Sequence, residues 1–195
     1  VTETDKIVLD AGAMRRALLR IAHEVLEKTH GREICVIGIH RRGALLASRL
    51  RDQIVSLVGM DIPLGDLDIS FYRDDVGLGD RPIQPVVHGS HIDFAIDGLT
   101  VVLVDDVLYT GRTVRAAIEA IFDYGRPRAL QLAVMADRGH RELPIRPDYV
   151  GKNLPTSDSE RVNVRLRELD GTDEVAIADI TEASPRSSAS DRGVG

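Results

Sequence analysis

The sequence predicts an α/β fold built on a mostly parallel central sheet flanked by helices. Three observations carry this. Short β-branched runs alternate with segments of helical periodicity, the order that a parallel sheet with crossover helices requires. The run at 100–104, TVVLV, is apolar at four consecutive positions, as a strand buried on both faces should be. A long stretch without periodicity, 72–91, falls between two of these units.

Taken in order, residues 11–28 place Met14, Ala17, Leu18, Ile21, Val25 and Leu26 at helical spacing, with Arg16, Arg20, His23 and Glu27 opposite. The run 33–39, EICVIGI, reads as a buried strand, and Gly43 opens a second helix to about residue 57. A further strand is expected at 67–71. The stretch 72–91 holds three glycines, two prolines and many charges and reads as a flexible loop. After the strand at 100–104 comes a helix over 112–124, stopped by Gly125 with Pro127 beyond, then a strand at 130–135. One domain is expected over 1–181. The segment 182–195, rich in Ser, Gly and Arg, is expected to be a disordered tail.

Composition narrows the class. Hydrophobic content of 43% and charged content of 29% are those of a globular protein, and no apolar run reaches the roughly 20 residues of a membrane span. Residues 1–9 lack the apolar core of a signal peptide, so a cytosolic (cytoplasmic) protein is expected. Cys35 is the only cysteine, which excludes an internal disulfide and a Cys-based metal site. The net charge of −6 argues against general attraction to nucleic acid, although a local basic face is compatible with it.

The chemistry concentrates at 101–113, VVLVDDVLYTGRT. An apolar strand ends in Asp105 and Asp106, and a turn carries Val107, Leu108, Tyr109, Thr110, Gly111, Arg112 and Thr113 into a helix. Ligands of open α/β sheets sit beyond the carboxyl ends of strands, and a helix start with glycine and hydroxyls offers N–H groups to a phosphate. Paired carboxylates suit the two hydroxyls of a ribose and would stabilise positive charge at its anomeric carbon. A bare DD before a helix is otherwise a strand end and a cap. The P-loop pattern is absent, and no G-x-G-x-x-G follows a strand.

Residues 101–113 resemble the phosphoribosyl pyrophosphate (PRPP) signature of the type I phosphoribosyltransferases. The segments RIAHE (20–24), DISFYRDD (68–75), GRPRALQLAVMADRGHRELPIRPDYVGKNLPTS (125–157) and SERV (159–162) extend this resemblance, from about residue 7 to 177, to the pyrimidine operon regulators that are also uracil phosphoribosyltransferases. The resemblance implies a type I transferase fold with a small hood. It implies that Asp105 and Asp106 hold the ribose, 110–113 the 5′-phosphate, and Arg42 in GIHRRG the diphosphate. Many members carry Thr-Arg where this chain has Arg41-Arg42, so Arg41 either adds charge to the diphosphate or faces solvent. Arg73 and Arg138 are further candidates for diphosphate contact. Tyr149, Val150 and Val162 are placed over the uracil, although Val150 and Val162 fit a plain core as well.

The implied reaction converts uracil and PRPP to UMP and diphosphate, with Mg²⁺ held mainly by substrate oxygens rather than by a dedicated protein cage. The resemblance also places Arg20, His23, Arg141, Arg146 and Lys152 on a face that binds a hairpin of pyrimidine operon leader mRNA, completed in a homodimer or larger oligomer. Aromatic content of 4% with no Trp disfavours a platform for stacking single-stranded bases. Two alternatives stand beside the bifunctional reading. One is an RNA-binding attenuator whose pocket only senses nucleotide, the other a salvage enzyme without an RNA role.

Overall fold

The computed structural model describes residues 5–30, 33–69 and 89–179. Eight strands and four helices follow in the order β1 (Lys6–Leu9), α1 (Ala11–Thr29), β2 (Ile34–Ile39), α2 (Arg42–Val58), β3 (Leu64–Leu67), β4 (Thr100–Leu108), α3 (Arg112–Ile121), β5 (Ala129–Asp137), β6 (Tyr149–Asn153), β7 (Glu160–Arg165), α4 (Arg167–Asp170) and β8 (Glu174–Asp179). Five strands form a wholly parallel sheet in the order β3-β2-β4-β5-β6. The other three make a small antiparallel sheet, β1-β8-β7, which is the hood.

The parallel sheet is covered on both faces, and alternation along its strands shows why the runs read as continuously apolar. Ile34 and Val36 join one core with α1 and α2, whereas Cys35, Ile37 and Ile39 join a second core with α3. Val102 and Val104 of β4 face the first core, and Val101 and Leu103 the second. α1 is held at its start by Asp10, whose carboxylate accepts the Ala13 N–H.

Three boundaries differ from expectation. β3 occupies 64–67 rather than 67–71: its ladder runs from Val36↔Leu64 to Ile39↔Leu67, and β2 ends there. α3 stops at Ile121, three residues early, and the chain turns through 122–124. β4 is longer than 100–104 and carries both aspartates within the strand. The expected loop lies outside the described residues from 72 to 88, and the expected tail lies wholly outside them.

Cys35, the second residue of β2, is fully buried, and that burial pushes its thiol up to about 12. Alkylation requires the thiolate and access to it. The folded chain should therefore resist iodoacetamide at pH 8 and take up one equivalent once unfolded in guanidinium; rapid labelling of the folded chain would contradict this packing.

Candidate active site

The end of β4 and the turn after it form the floor of the site. Asp105 is buried and accepts the Asp106 N–H through Oδ1 at 2.9 Å. Asp106 is half-buried and accepts the Val107 N–H at 2.8 Å. Both carboxylates are thus fixed by the backbone. Gly111 caps α3 with φ 94°, and a Cβ there would approach Ile145 Cδ1 to 3.3 Å. The first turn of α3 has no acidic residue, and its Arg112 N–H donates only a long 3.4 Å bond to Thr110 Oγ1, so the amides that follow remain available to an anion. The Thr110 carbonyl accepts the N–H groups of Glu142 and Leu143, and Arg112 pairs with Glu142 at 2.6 Å. The loop after β5 therefore braces the turn from beneath.

A second uncapped helix start, that of α2, converges on the same place. Its first turn also lacks acidic residues. Two glycines make the approach possible: a Cβ on Gly38 would lie 2.4 Å from Ala44 Cα, and one on Gly43 2.5 Å from the Val104 carbonyl oxygen. The helix therefore begins against the strand end that carries Asp105. Arg41 occupies the cap position and is exposed. Arg42 reaches the hood, where its Nη2 donates to both oxygens of Asp170 at 2.9 and 3.2 Å. Arg42, Asp106, Arg161, Val162, Asn163 and Asp170 line a polar cavity of about 250 Å³ between β4 and β7. Asp170, Arg161 and Asn163 carry no local signal of this role and reach the cavity only by folding of the hood.

The structure separates the residues expected to cover the base. Val162 lies on β7 of the hood. Tyr149 and Val150 instead belong to β6, the edge of the main sheet. Tyr149 is buried, its hydroxyl donates to Gln131 Oε1 at 2.8 Å, and burial pushes that hydroxyl up to about 12, helped by Asp148 and Glu24. Arg138 is buried too. Its Nε donates to Thr156 Oγ1 at 2.7 Å, its Nη2 to the carbonyls of Ser157 and Glu160, and its guanidinium lies 4.1 Å from the Tyr109 ring centroid. Arg73 falls outside the described residues.

The five residues expected to meet RNA divide into two kinds. Arg20 donates to Glu24 and to the carbonyls of Val150 and Gly151 on β6, fastening α1 to the sheet edge. Arg141 donates to four carbonyls, those of Leu108, Tyr109, Gly139 and Ile145, and to Asp137, fastening the loop after β5 to the phosphate turn. His23, Arg146 and Lys152 are exposed, and none has a side-chain hydrogen bond or ion pair among the described residues. The contact of Arg20 with β6 brings the α1 face beside the strand that bears Lys152. A cluster that sequence did not suggest involves Asp66, whose Oδ1 takes both His40 Nε2, two residues before α2, and His91 Nδ1 at 3.2 Å.

Residues 5–169 match the profile of the Phosphoribosyl transferase domain family. The chain is 53% identical over 178 residues to the "Bifunctional protein PyrR" of Listeria welshimeri, covering 90% of this chain and 97% of that one. It is 56% identical over 176 residues to the protein of the same name from Caldicellulosiruptor bescii, covering 90% and 96%. Among solved structures it is similar to a hypoxanthine-guanine phosphoribosyltransferase of Bacillus anthracis, with a TM-score of 0.65, 20% identity and coverage of 93% and 100%. The hypoxanthine phosphoribosyltransferase of Trypanosoma cruzi is similar with a TM-score of 0.67, 17% identity and coverage of 89% and 96%. At such identities the two structures speak to the fold.

Proposed function

Because the chain belongs to the phosphoribosyl transferase domain family, and within it to the PyrR proteins, we propose that it is a bifunctional cytosolic uracil phosphoribosyltransferase that also binds pyrimidine operon leader RNA under the control of UMP. The observation that carries the transferase half is the convergence of two uncapped helix starts on a strand end bearing Asp105 and Asp106. The α3 start takes the 5′-phosphate and the α2 start, with Arg42, the diphosphate. Asp106 faces the cavity under the hood and takes the ribose hydroxyls, with Asp105 buried behind it.

In this reaction the bond from uracil N1 to the anomeric carbon forms as the bond from that carbon to the diphosphate oxygen breaks. The N1 proton is lost and diphosphate departs with the electron pair. The chain orients the two partners, and its carboxylates offset the charge that builds on the ribose ring. The hard carboxylate oxygens of Asp106, which lines the cavity, would suit a Mg²⁺ held mainly by substrate oxygens, and the ion bound with PRPP would ease departure of the diphosphate.

For RNA, the side chains without protein partners are the best candidates for phosphate contact, while Arg20 and Arg141 hold the surface in shape. In an Arg146→Gln, Lys152→Gln double variant, affinity for the leader hairpin should fall. The slope of log affinity against log salt should flatten by about 0.7–0.9 per lost contact, with UMP synthesis kept. In the unsubstituted protein UMP should tighten RNA binding, and by linkage RNA should tighten UMP binding equally. Unchanged RNA affinity in the double variant would remove this face from the reading. Absence of UMP synthesis in the unsubstituted protein would leave a sensor rather than an enzyme.

A further inference from the structure

The guanidinium expected to meet the diphosphate is engaged by the hood. Arg42 Nη2 bifurcates onto the two oxygens of Asp170. Asp170 is itself fixed, because its Oδ2 also accepts the Leu166 N–H at 2.9 Å. That backbone hydrogen bond, with the positive charge of Arg42, holds the Asp170 carboxyl below the usual carboxylate range despite partial desolvation. The carboxylate is therefore ionised at neutral pH. The cation is less well served: Arg42 Nε is buried and has no hydrogen-bond partner among the described residues. A guanidinium with one buried N–H unused gains by turning toward an acceptor that can take it. Asp170 also shares its cavity with Asp106, so an incoming diphosphate meets two resident carboxylates there.

The α4 turn does not depend on Arg42 for its place. Arg49 of α2 binds Glu168 at 2.6 Å and Asp173 at 2.8 Å, and Asp173 accepts the Arg167 N–H. Releasing Arg42 would leave these contacts intact.

We propose that Asp170 is a resident competitor for the diphosphate-binding arginine, holding Arg42 as its counter-anion and yielding it when PRPP binds. This rests on the reading that the α2 start takes the diphosphate of PRPP. Asp170 touches no substrate in this scheme. It sets how tightly PRPP is held, acting through Arg42, and leaves UMP, which carries no diphosphate, unaffected.

The test uses the full chain and calorimetric binding of Mg·PRPP and of UMP to the parent protein, Asp170→Asn, Arg42→Gln and the double variant. Asn keeps an acceptor for the Leu166 N–H, and Asp170→Ser serves as a second replacement should Asn lower the yield of folded protein. Removing the competitor should tighten PRPP binding about fivefold, the scale of a partly exposed ion pair. UMP affinity should stay unchanged, and the substitution should have no effect on PRPP in the Arg42→Gln background. Equal or weaker PRPP binding in both replacements would overturn the proposal, since Asp170 would then be a support of Arg42. The same tightening for UMP, or its persistence without Arg42, would also overturn it, because the effect would then be general charge. Failure of the parent protein to bind PRPP at all would overturn the transferase reading first, and this proposal with it.

Discussion

Asp105→Asn, Asp106→Asn is expected to slow UMP formation by about 10²–10³-fold, the usual consequence of losing a preorganised charge that acts on the transition state. The substitution keeps size and one acceptor oxygen per side chain. The backbone contacts that fix both groups, from the Asp106 and Val107 N–H, can therefore persist. What is removed is the negative charge proposed to lie beneath the ribose ring. The single variants should not contribute alike. Asp106 lines the cavity beside Arg42, so Asp106→Asn should carry most of the rate loss. Asp105 is buried, so its single variant should show more in thermal stability. Turnover at saturating PRPP, read alongside the unfolding midpoint, separates the two. A folded double variant with near-normal turnover would mean that the charge lies elsewhere.

The central sheet and the turn between β4 and α3 were legible because each is encoded locally. A β-branched run such as VVLV keeps both faces apolar, and DD…TGRT packs strand end, turn and helix start into nine residues. The hood was not legible as secondary structure. ERVNVR in β7 alternates with polar residues and EVAIAD in β8 is a four-residue apolar run between carboxylates, so both are too short to stand out until β1, from the other end of the chain, pairs with β8. The contacts that complete the site are non-local for the same reason: 128 residues separate Arg42 from Asp170. Tyr149 was expected over the base by its matching position in the family that the sequence resembles. The register Ala133↔Tyr149 instead adds it to the main sheet, where its ring is buried. Sequence also treated all five basic residues of the RNA face as equivalent. Only the fold distinguishes Arg20 and Arg141, spent on backbone carbonyls, from His23, Arg146 and Lys152.

Arg138 tests which kind of information prevails at a single position. Its place after β5 marks it in sequence as a diphosphate contact. In the structure its guanidinium ties the end of the sheet to the start of the hood through Thr156, Ser157 and Glu160, under the ring of Tyr109. Arg138→Met should keep much of the side-chain volume and strand these acceptors in a buried setting. Hydrogen bonds to a charged group contribute about 1.5–3 kcal/mol each and are not additive, so a loss of about 3 kcal/mol is expected. For a chain of this size that lowers the unfolding midpoint by about 6–12 °C. Arg138→Lys keeps the charge but not the planar fork, and should fall between the two. Because β7 begins at Glu160, the hood should loosen and KM for uracil should rise more than KM for PRPP. If Arg138→Met instead unfolds at the parent temperature and loses PRPP affinity alone, Arg138 is a diphosphate ligand, and its hood contacts are those of a side chain waiting for substrate.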